Sequence, residues 1–157
     1  MEHRINSSKP TAAFVGASWA ALLLGIATFL IGLWNAPAML RNEKGYYLAL
    51  LILGLFSAVS LQKAVRDKSE GIPVTSVYFG IAWMALGAAL LLMTVGLWNA
   101  ATITRAEKGF YAMSFALSLF AAVAVQKNIR DTAGAHDDGK VGIPLRSPAR
   151  AVPSAND

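Results

Sequence analysis

Long apolar runs alternate with short charged connections along most of the chain. Ala12 to Trp34 contains no charged residue, and Val74 to Trp98 repeats this feature. At about 1.5 Å per helical residue, each run is long enough to cross a hydrocarbon core of about 30 Å. Two shorter runs, Tyr46 to Leu61 and Phe110 to Val125, are close to the lower limit for a span. Because each short run follows a long one and begins with an aromatic pair suited to headgroup level, we predict that it also spans.

This pattern predicts an all-α polytopic membrane protein with four transmembrane helices. The composition agrees, since 55% of the residues are hydrophobic and 15% are charged, against roughly 25% charged in soluble domains. The chain has no cysteine, which excludes disulfides, thiolate metal sites and a cysteine nucleophile. Residues 36–38 resemble a signal-peptide cleavage site, but the preceding run is too long for a signal peptide, so we expect the first span to be retained.

Lysine and arginine predict the orientation of the helices. If the N-terminus faces the cytoplasm, both tails and the middle connection carry a clear excess of basic residues, and only four basic residues lie on the other side. Those four are Arg41, Lys44, Arg105 and Lys108. Both termini are therefore predicted to be cytoplasmic. The net charge is +5, and the basic residues that produce it flank the apolar runs. We therefore expect the lipid bilayer as a partner and no nucleic acid.

The sequence contains an internal duplication. Shifting the chain by 64 positions aligns residues 14–67 with residues 78–131 without a gap, and about 23 of the 54 aligned residues are identical. Each repeat holds two spans, which predicts two tandem parallel-repeat helical hairpins. The predicted organisation is a cytoplasmic tail (1–11), a first repeat (12–67), a cytoplasmic linker (68–75), a second repeat (76–131) and a disordered cytoplasmic tail (132–157).

The identical residues concentrate at the helix ends and form two motifs in each repeat. The outer-turn motif comprises Trp34, Asn35, Arg41, Glu43, Lys44 and Gly45, and again Trp98, Asn99, Arg105, Glu107, Lys108 and Gly109. The inner-end motif comprises Gln62, Lys63, Arg66 and Asp67, and again Gln126, Lys127, Arg130 and Asp131.

These motifs carry a family resemblance. The strings GLWNA, EKG followed by two aromatic residues, and QK followed after two residues by RD each occur twice. They resemble the YiaA/YiaB family of small bacterial inner-membrane proteins with a two-helix domain. The resemblance implies an inner-membrane location and two tandem two-helix domains, and it implies no biochemical activity.

Ordinary structural roles account for most of the motif residues. We expect the two asparagines to cap the first helix of each repeat in a left-handed conformation. The carboxylates of Glu43 and Glu107 should stabilise the start of the next helix through the helix dipole, and the basic residues of the inner-end motif should stabilise its end. Arg41 is predicted to approach Glu107 across the repeats. An anionic lipid site at the inner bases stays open as an alternative.

Few residues suggest reaction chemistry. His3 and His136 lie in the predicted tails, so we predict no metal site, no cofactor and no catalytic residue. The spans contain no charged residue, which disfavours proton coupling, and their serines should bond to the carbonyl one turn back. Small residues spaced by four indicate close helix packing, namely Ala13, Ala17 and Ala21 with Gly16 and Ala20, Gly54 and Ala58, Ala85 and Ala89, and Ser114, Ser118 and Ala122.

Three functions are compatible with these features. The first is a non-enzymatic membrane protein that acts by helix packing, with itself as a homo-oligomer or with another membrane protein. The alternatives are an oligomeric small-molecule transporter or channel, and inner-leaflet anionic lipid binding. An enzyme is not expected.

Overall fold

The computed structural model describes residues 10–141, with side chains as far as Ala133. Within this range the chain forms four helices: α1 spans Ala12–Trp34, α2 Arg41–Ser69, α3 Ser76–Asn99 and α4 Arg105–Val141. All four are long and apolar enough to cross a membrane. The prediction of an all-α protein with four transmembrane helices is therefore confirmed. We call the ends near residues 35–40 and 100–104 outer and the opposite ends inner, after the predicted orientation.

The first helix of each repeat begins at a threonine. The Thr11 hydroxyl accepts a hydrogen bond from the backbone N–H of Phe14 at 3.3 Å, and the Thr75 hydroxyl accepts one from Tyr78 at 3.4 Å. Each bond satisfies a backbone donor that the first helical turn leaves unpaired. The two caps are 64 positions apart, so the repeat extends slightly beyond the aligned residues.

A glycine ends α2 and starts the linker. Gly71 has a φ of 75°, a left-handed conformation that glycine adopts without steric cost. This turn allows the Gly71 N–H to reach the carbonyl of Lys68 at 3.3 Å and the Ile72 N–H to reach that of Asp67 at 2.9 Å. The bonds close the helix in the manner of a Schellman motif.

The helices pair between the repeats and hardly at all within them. α1 packs mainly on α4 and α2 mainly on α3, whereas α1 touches α2, and α3 touches α4, only slightly. α2 and α4 make the remaining substantial contact. The two predicted two-helix repeats are thus present, but each is splayed, and its helices pack on those of the other repeat. An approximate two-fold axis along the helices relates the two halves.

Aromatic side chains fill the core at this axis. The rings of Tyr47 and Tyr111, which occupy equivalent positions, stack with centroids 6.1 Å apart and planes 8° from parallel. Phe29 is fully buried and meets Tyr111 edge to face at 5.5 Å. Met39 and Ile103, from the two outer turns, belong to the same core. The turns therefore contribute apolar side chains to the packing between the repeats.

A glycine permits close contact between α1 and α4. A Cβ atom added at Gly25 would lie 2.9 Å from the backbone nitrogen of Ser118 and 2.7 Å from its hydroxyl oxygen. Small residues allow membrane helices to approach in this way without a hydrophobic driving force. The sequence indicated Ser118 at a packing face, and this is confirmed because its side chain is fully buried.

The small-residue face predicted on α1 is not a packing face within the chain. Ala13, Gly16, Ala17 and Ala20 are exposed, whereas Ser18 and Gly25 are buried. Alanine spacing alone misplaced the contact, because alanine is common on every side of this helix.

The predicted start of the disordered tail at residue 132 is wrong. α4 continues to Val141, and no proline interrupts the chain before Pro144, so nothing in the covalent structure stops the helix there. The rest of the predicted C-terminal tail, and residues 1–9 of the N-terminal tail, lie outside the described residues.

Candidate functional sites at the outer turns and inner ends

A lysine in each outer-turn motif closes the preceding helix. The Lys44 ammonium donates to the carbonyl of Trp34 at 3.2 Å, and the Lys108 ammonium donates to the carbonyl of Trp98 at 3.2 Å. A cation at a helix C-terminus is favoured by the helix dipole. The repeated lysines thus tie the second helix of each repeat to the end of the first.

The repeated glutamates begin the second helices, as predicted. Glu43 accepts from the backbone N–H of Leu40 at 2.8 Å. Glu107 accepts from the backbone N–H of Thr104 at 2.6 Å, and the Thr104 hydroxyl accepts from the Glu107 N–H at 3.3 Å. This reciprocal pattern is a capping box. Glu43 also accepts from the Thr102 hydroxyl of the other repeat, at 3.3 Å.

The repeated asparagines lie at the ends of α1 and α3. Asn35 caps α1, but its φ of −83° is not left-handed, so the expected backbone conformation is wrong. Its side-chain amide instead donates to the carbonyl of Ile31 at 3.0 Å. Asn99 is the last residue of α3.

Two equivalent pockets lie beside the outer turns, with volumes of about 360 and 430 Å³. The first is lined by Asn42, Glu43, Tyr46, Tyr47, Gly96, Asn99 and Ala100. The second is lined by Gly32, Asn35, Ala36, Ala106, Glu107, Phe110 and Tyr111. Each lining residue has its counterpart 64 positions away in the other pocket. A Cβ at Gly96 would lie 2.7 Å from a ring carbon of Tyr46, so the repeated glycine makes room for an aromatic wall.

The other six outer-turn motif residues, which include the exposed Arg41 and Arg105, form no side-chain hydrogen bond in the part of the chain that the structure describes. Trp34 and Trp98 are more than four-fifths exposed, as expected of tryptophans in the interfacial belt of a membrane protein. Among the described residues no ion pair joins Arg41 to Glu107, so that predicted contact is wrong. Glu107 is instead bonded within its own turn. Gly45 and Gly109 have open space where a Cβ would be.

The crossed ion pairs lie at the inner ends of the helices. Arg66 donates to Asp131 at 3.2 Å, and its equivalent Arg130 donates to Asp67 at 3.1 Å. The approximate two-fold axis relates these two ion pairs, each of which joins an arginine of one repeat to an aspartate of the other. Glu70 accepts from both arginines, at 2.6 and 3.0 Å, so the four side chains and Glu70 form one network between α2 and α4.

The other members of the inner-end motif extend this network. Lys63 pairs with Asp67 at 2.6 Å and Lys127 pairs with Asp131 at 2.9 Å, each within one helix. Gln62 and Gln126 each have a buried side-chain oxygen without a hydrogen-bond partner. Apart from these two amides, the inner-end motif holds the repeats together.

One buried polar contact was not predicted from the sequence. The Asn128 amide donates to the Ser18 hydroxyl at 3.0 Å, joining α4 to α1, and the Ser18 hydroxyl in turn donates to the carbonyl of Phe14 at 2.8 Å. Asn128 is 1% exposed. The equivalent residues in the other helix pair are Ala64 and Ala82, also buried. Comparison of the repeats could have indicated this contact, because Asn128 stands where the first repeat has Ala64, on an otherwise apolar face.

Three of the other four intramembrane serines behave as predicted, and Ser60 forms no such bond in the described residues. Ser57, Ser114 and Ser118 donate to backbone carbonyls three or four residues back. Among residues 10–133, whose side chains the structure describes, no three histidine, cysteine or acidic side chains lie close enough together to hold a metal ion.

Comparison with known proteins identifies the repeat. The sequence model of the "yiaA/B two helix domain" matches residues 14–67 and again residues 78–131. This chain belongs to the YiaA/YiaB family. The two matches cover the same residues as the internal duplication, so the resemblance noted in the sequence is confirmed.

Two known proteins are similar to this chain in sequence. The chain is 57% identical over 131 residues to "Inner membrane protein YiaA" of Escherichia coli (strain K12), a match covering 83% of this chain and 88% of that protein. It is 42% identical over 60 residues to "Uncharacterized membrane protein YubF" of Bacillus subtilis (strain 168), covering 38% of this chain and 69% of that protein. No solved structure matches the chain. As a YiaA/YiaB member with four apolar helices, the chain is a multi-pass membrane protein.

Proposed function

We propose that this chain is a non-enzymatic inner-membrane protein that acts by packing against a transmembrane helix of another polypeptide. The name of the E. coli relative supports the inner membrane as its location. The motif residues are largely engaged in bonds within the chain, which supports a structural role for them. The observation that carries the proposal is a lateral groove between α3 and α4, where the second repeat is splayed open.

This α3–α4 groove has a volume of about 410 Å³ and lies in the outer half of the helices. Its walls include Leu90, Met93, Leu97 and Phe115, and Trp98 and Lys108 lie at its outer end. Gly109, Ala112 and Ala116 also line it, at spacings of three and four residues that place them on one face of α4. A face of small residues lets another helix approach closely in a membrane.

The first repeat differs at this face. The residues equivalent to Ala112 and Ala116 are Leu48 and Ile52, whose larger side chains occupy more of the space beside α2. The two alanines are therefore specific to the second repeat and are not required by the fold of the two-helix domain. This difference supports one docking position for a partner helix, on the α4 side.

Cross-linking from single cysteines tests the proposal, because the natural chain has no cysteine. A photoreactive maleimide attached at Ala116→Cys should give a discrete cross-link to a polypeptide in native membranes, and mass spectrometry shows whether that polypeptide is a second copy. The control is Met113→Cys, which is on α4 but 73% exposed and outside the groove. We expect no discrete polypeptide adduct from the control.

A groove-filling variant sharpens the test. Ala112→Leu introduces the residue of the first repeat at the equivalent position and should abolish the adduct from residue 116 without unfolding the protein. Identical adducts from residues 113 and 116, or an adduct that survives Ala112→Leu, would count against helix docking in the groove.

The orientation is part of the same proposal, with both termini in the cytoplasm. Its support is the excess of lysine and arginine at the tails and the middle connection. Alkaline phosphatase fused after Asp131 should be inactive, and the same enzyme fused in the outer turn after Asn99 should be active. The opposite pattern would reverse the topology.

A further inference from the structure

A second cleft lies at the inner end of the helices, on the side of the molecule where α1, α2 and α4 meet. Its volume is about 670 Å³. The walls deeper in the membrane are apolar, and the polar and charged side chains lie at the inner rim. The lining residues are Leu22, Val59, Lys63, Asp67, Ile72, Ala122, Val125, Gln126, Ile129 and Arg130.

We propose that this inner cleft binds an anionic glycerophospholipid, with its phosphate at Lys63 and Arg130 and an acyl chain along the apolar wall. The proposal is independent of the α3–α4 groove, which lies in the outer half of the helices. The ligand would bind to hydrogen-bond donors of Lys63 and Arg130 that their ion pairs within the protein do not use.

Charge at the rim favours an anion. The inner-end network carries four positive charges against three negative ones, and Asp67 is the one acid among the residues that line the cleft. The positive charges are on Lys63, Arg66, Lys127 and Arg130, and the negative ones on Asp67, Glu70 and Asp131. The Lys63 ammonium uses one of its three donors on Asp67, and its side chain is 58% exposed. Arg130 binds Asp67 and Glu70 through its two terminal nitrogens, which leaves further N–H donors for a phosphate oxygen.

An unpaired acceptor points in the same direction. The side-chain oxygen of Gln126 is buried and has no hydrogen-bond partner, a state that costs free energy unless a donor is supplied. Hydroxyl groups of a phosphatidylglycerol headgroup are donors of the required kind. The residue lines the cleft together with the two basic side chains.

The dimensions match a lipid and not a free phosphate. From Ala122 to Arg130 the cleft follows α4 for eight residues, about 12 Å at 1.5 Å per residue. Leu22, Val59 and Val125 form an apolar wall along this length. A soluble phosphate would leave that wall uncovered, whereas a lipid of the adjoining leaflet covers it with hydrocarbon.

The same residue types recur in the other repeat, which shapes the experiment. The equivalents of Leu22, Val59 and Lys63 are Leu86, Val123 and Lys127, all identical. A test variant therefore changes both lysines, Lys63→Gln with Lys127→Gln. The control, Lys68→Gln with Lys140→Gln, removes the same charge from the same predicted side of the membrane and leaves the cleft intact.

Native mass spectrometry of the delipidated full-length protein measures the binding. Phosphatidylglycerol should be retained at concentrations where phosphatidylcholine with the same acyl chains is not, and excess glycerol 3-phosphate should not displace it. The Lys63/Lys127 variant should bind phosphatidylglycerol about five-fold more weakly, and the control should stay within about two-fold of the natural chain.

A steric variant covers the case in which the charge variant is unstable. Val59→Trp with Val123→Trp fills the apolar wall in both repeats while keeping the basic residues, and this variant should also lose the retained phosphatidylglycerol. Equal retention of the two lipids, displacement by glycerol 3-phosphate, or an equal loss in the Lys68/Lys140 control would overturn the proposal.

Discussion

The hydrogen bond between Ser18 and Asn128 occurs in the α1–α4 pair and has no equivalent in the α2–α3 pair. Two substitutions can introduce it there. In the α2–α3 pair the equivalent residues are Ala64 and Ala82, both buried. Ala64→Asn places an amide in that contact with no hydroxyl to receive its hydrogen bond. Adding Ala82→Ser supplies the hydroxyl and recreates the contact seen at 3.0 Å between α1 and α4.

The expected magnitudes follow from burial. Ala64 is 0% exposed, and burying an amide without a partner costs about 1–3 kcal/mol, so Ala64→Asn should lower the free energy of unfolding by about that amount. The added serine should recover about 0.6 kcal/mol, the average for hydrogen bonds between membrane helices. The recovery should be smaller than the loss, because the oxygen of the introduced amide stays unpaired, as it does in Asn128.

Reversible unfolding in mixed micelles measures these differences for the natural chain, the two single variants and the double variant. The control cycle uses Ser18→Ala and Asn128→Ala, which remove the existing hydrogen bond between α1 and α4. The coupling free energy between these two changes should be similar in size to that of the introduced pair. If Ala64→Asn leaves stability unchanged, or if Ala82→Ser is additive with it, then these two positions do not face each other and the proposed equivalence of the helix pairs is wrong.

Three further outcomes follow from the packing between the repeats. Arg130→Ala and Asp67→Ala should be non-additive in melting temperature, since the two side chains bond directly, and additivity would argue against the crossed network. Gly25→Ala should lower the free energy of unfolding by about 1–3 kcal/mol through overpacking against α4, whereas Gly16→Ala, which has open space around it, should not lower it. Two halves of the chain, separated at Gly71 and co-expressed, should co-purify from membranes, and independent, non-associating halves would contradict the exchange of helices.

The sequence predicts the helices and their ends well, because these depend on local features. Apolar runs determine the spans, and the repeated glutamates mark the starts of the second helices. The duplication also predicts that the two halves use equivalent contacts, as the stacked Tyr47 and Tyr111 show. Each of these signals is contained within a short segment or in the comparison of two segments.

The pairing of the helices could not be predicted in the same way. A short turn suggests that consecutive helices pack together, and nothing local to α1 indicates that its partner is α4. The crossed charges were expected at the outer turn, where Glu107 instead caps its own helix. Both errors concern contacts between residues far apart in sequence, about which the sequence of a single chain carries little information.

Disulfide formation tests the exchange of helices most directly. Ser18→Cys with Asn128→Cys joins two positions in contact between α1 and α4, while Ser18→Cys with Ala64→Cys joins α1 to the equivalent position of α2. In the membrane, mild oxidation should close an intramolecular disulfide in the first variant and leave the second reduced. Rapid closure of the second disulfide without the first would show that each repeat is a closed hairpin, and the account of exchanged helices would be wrong.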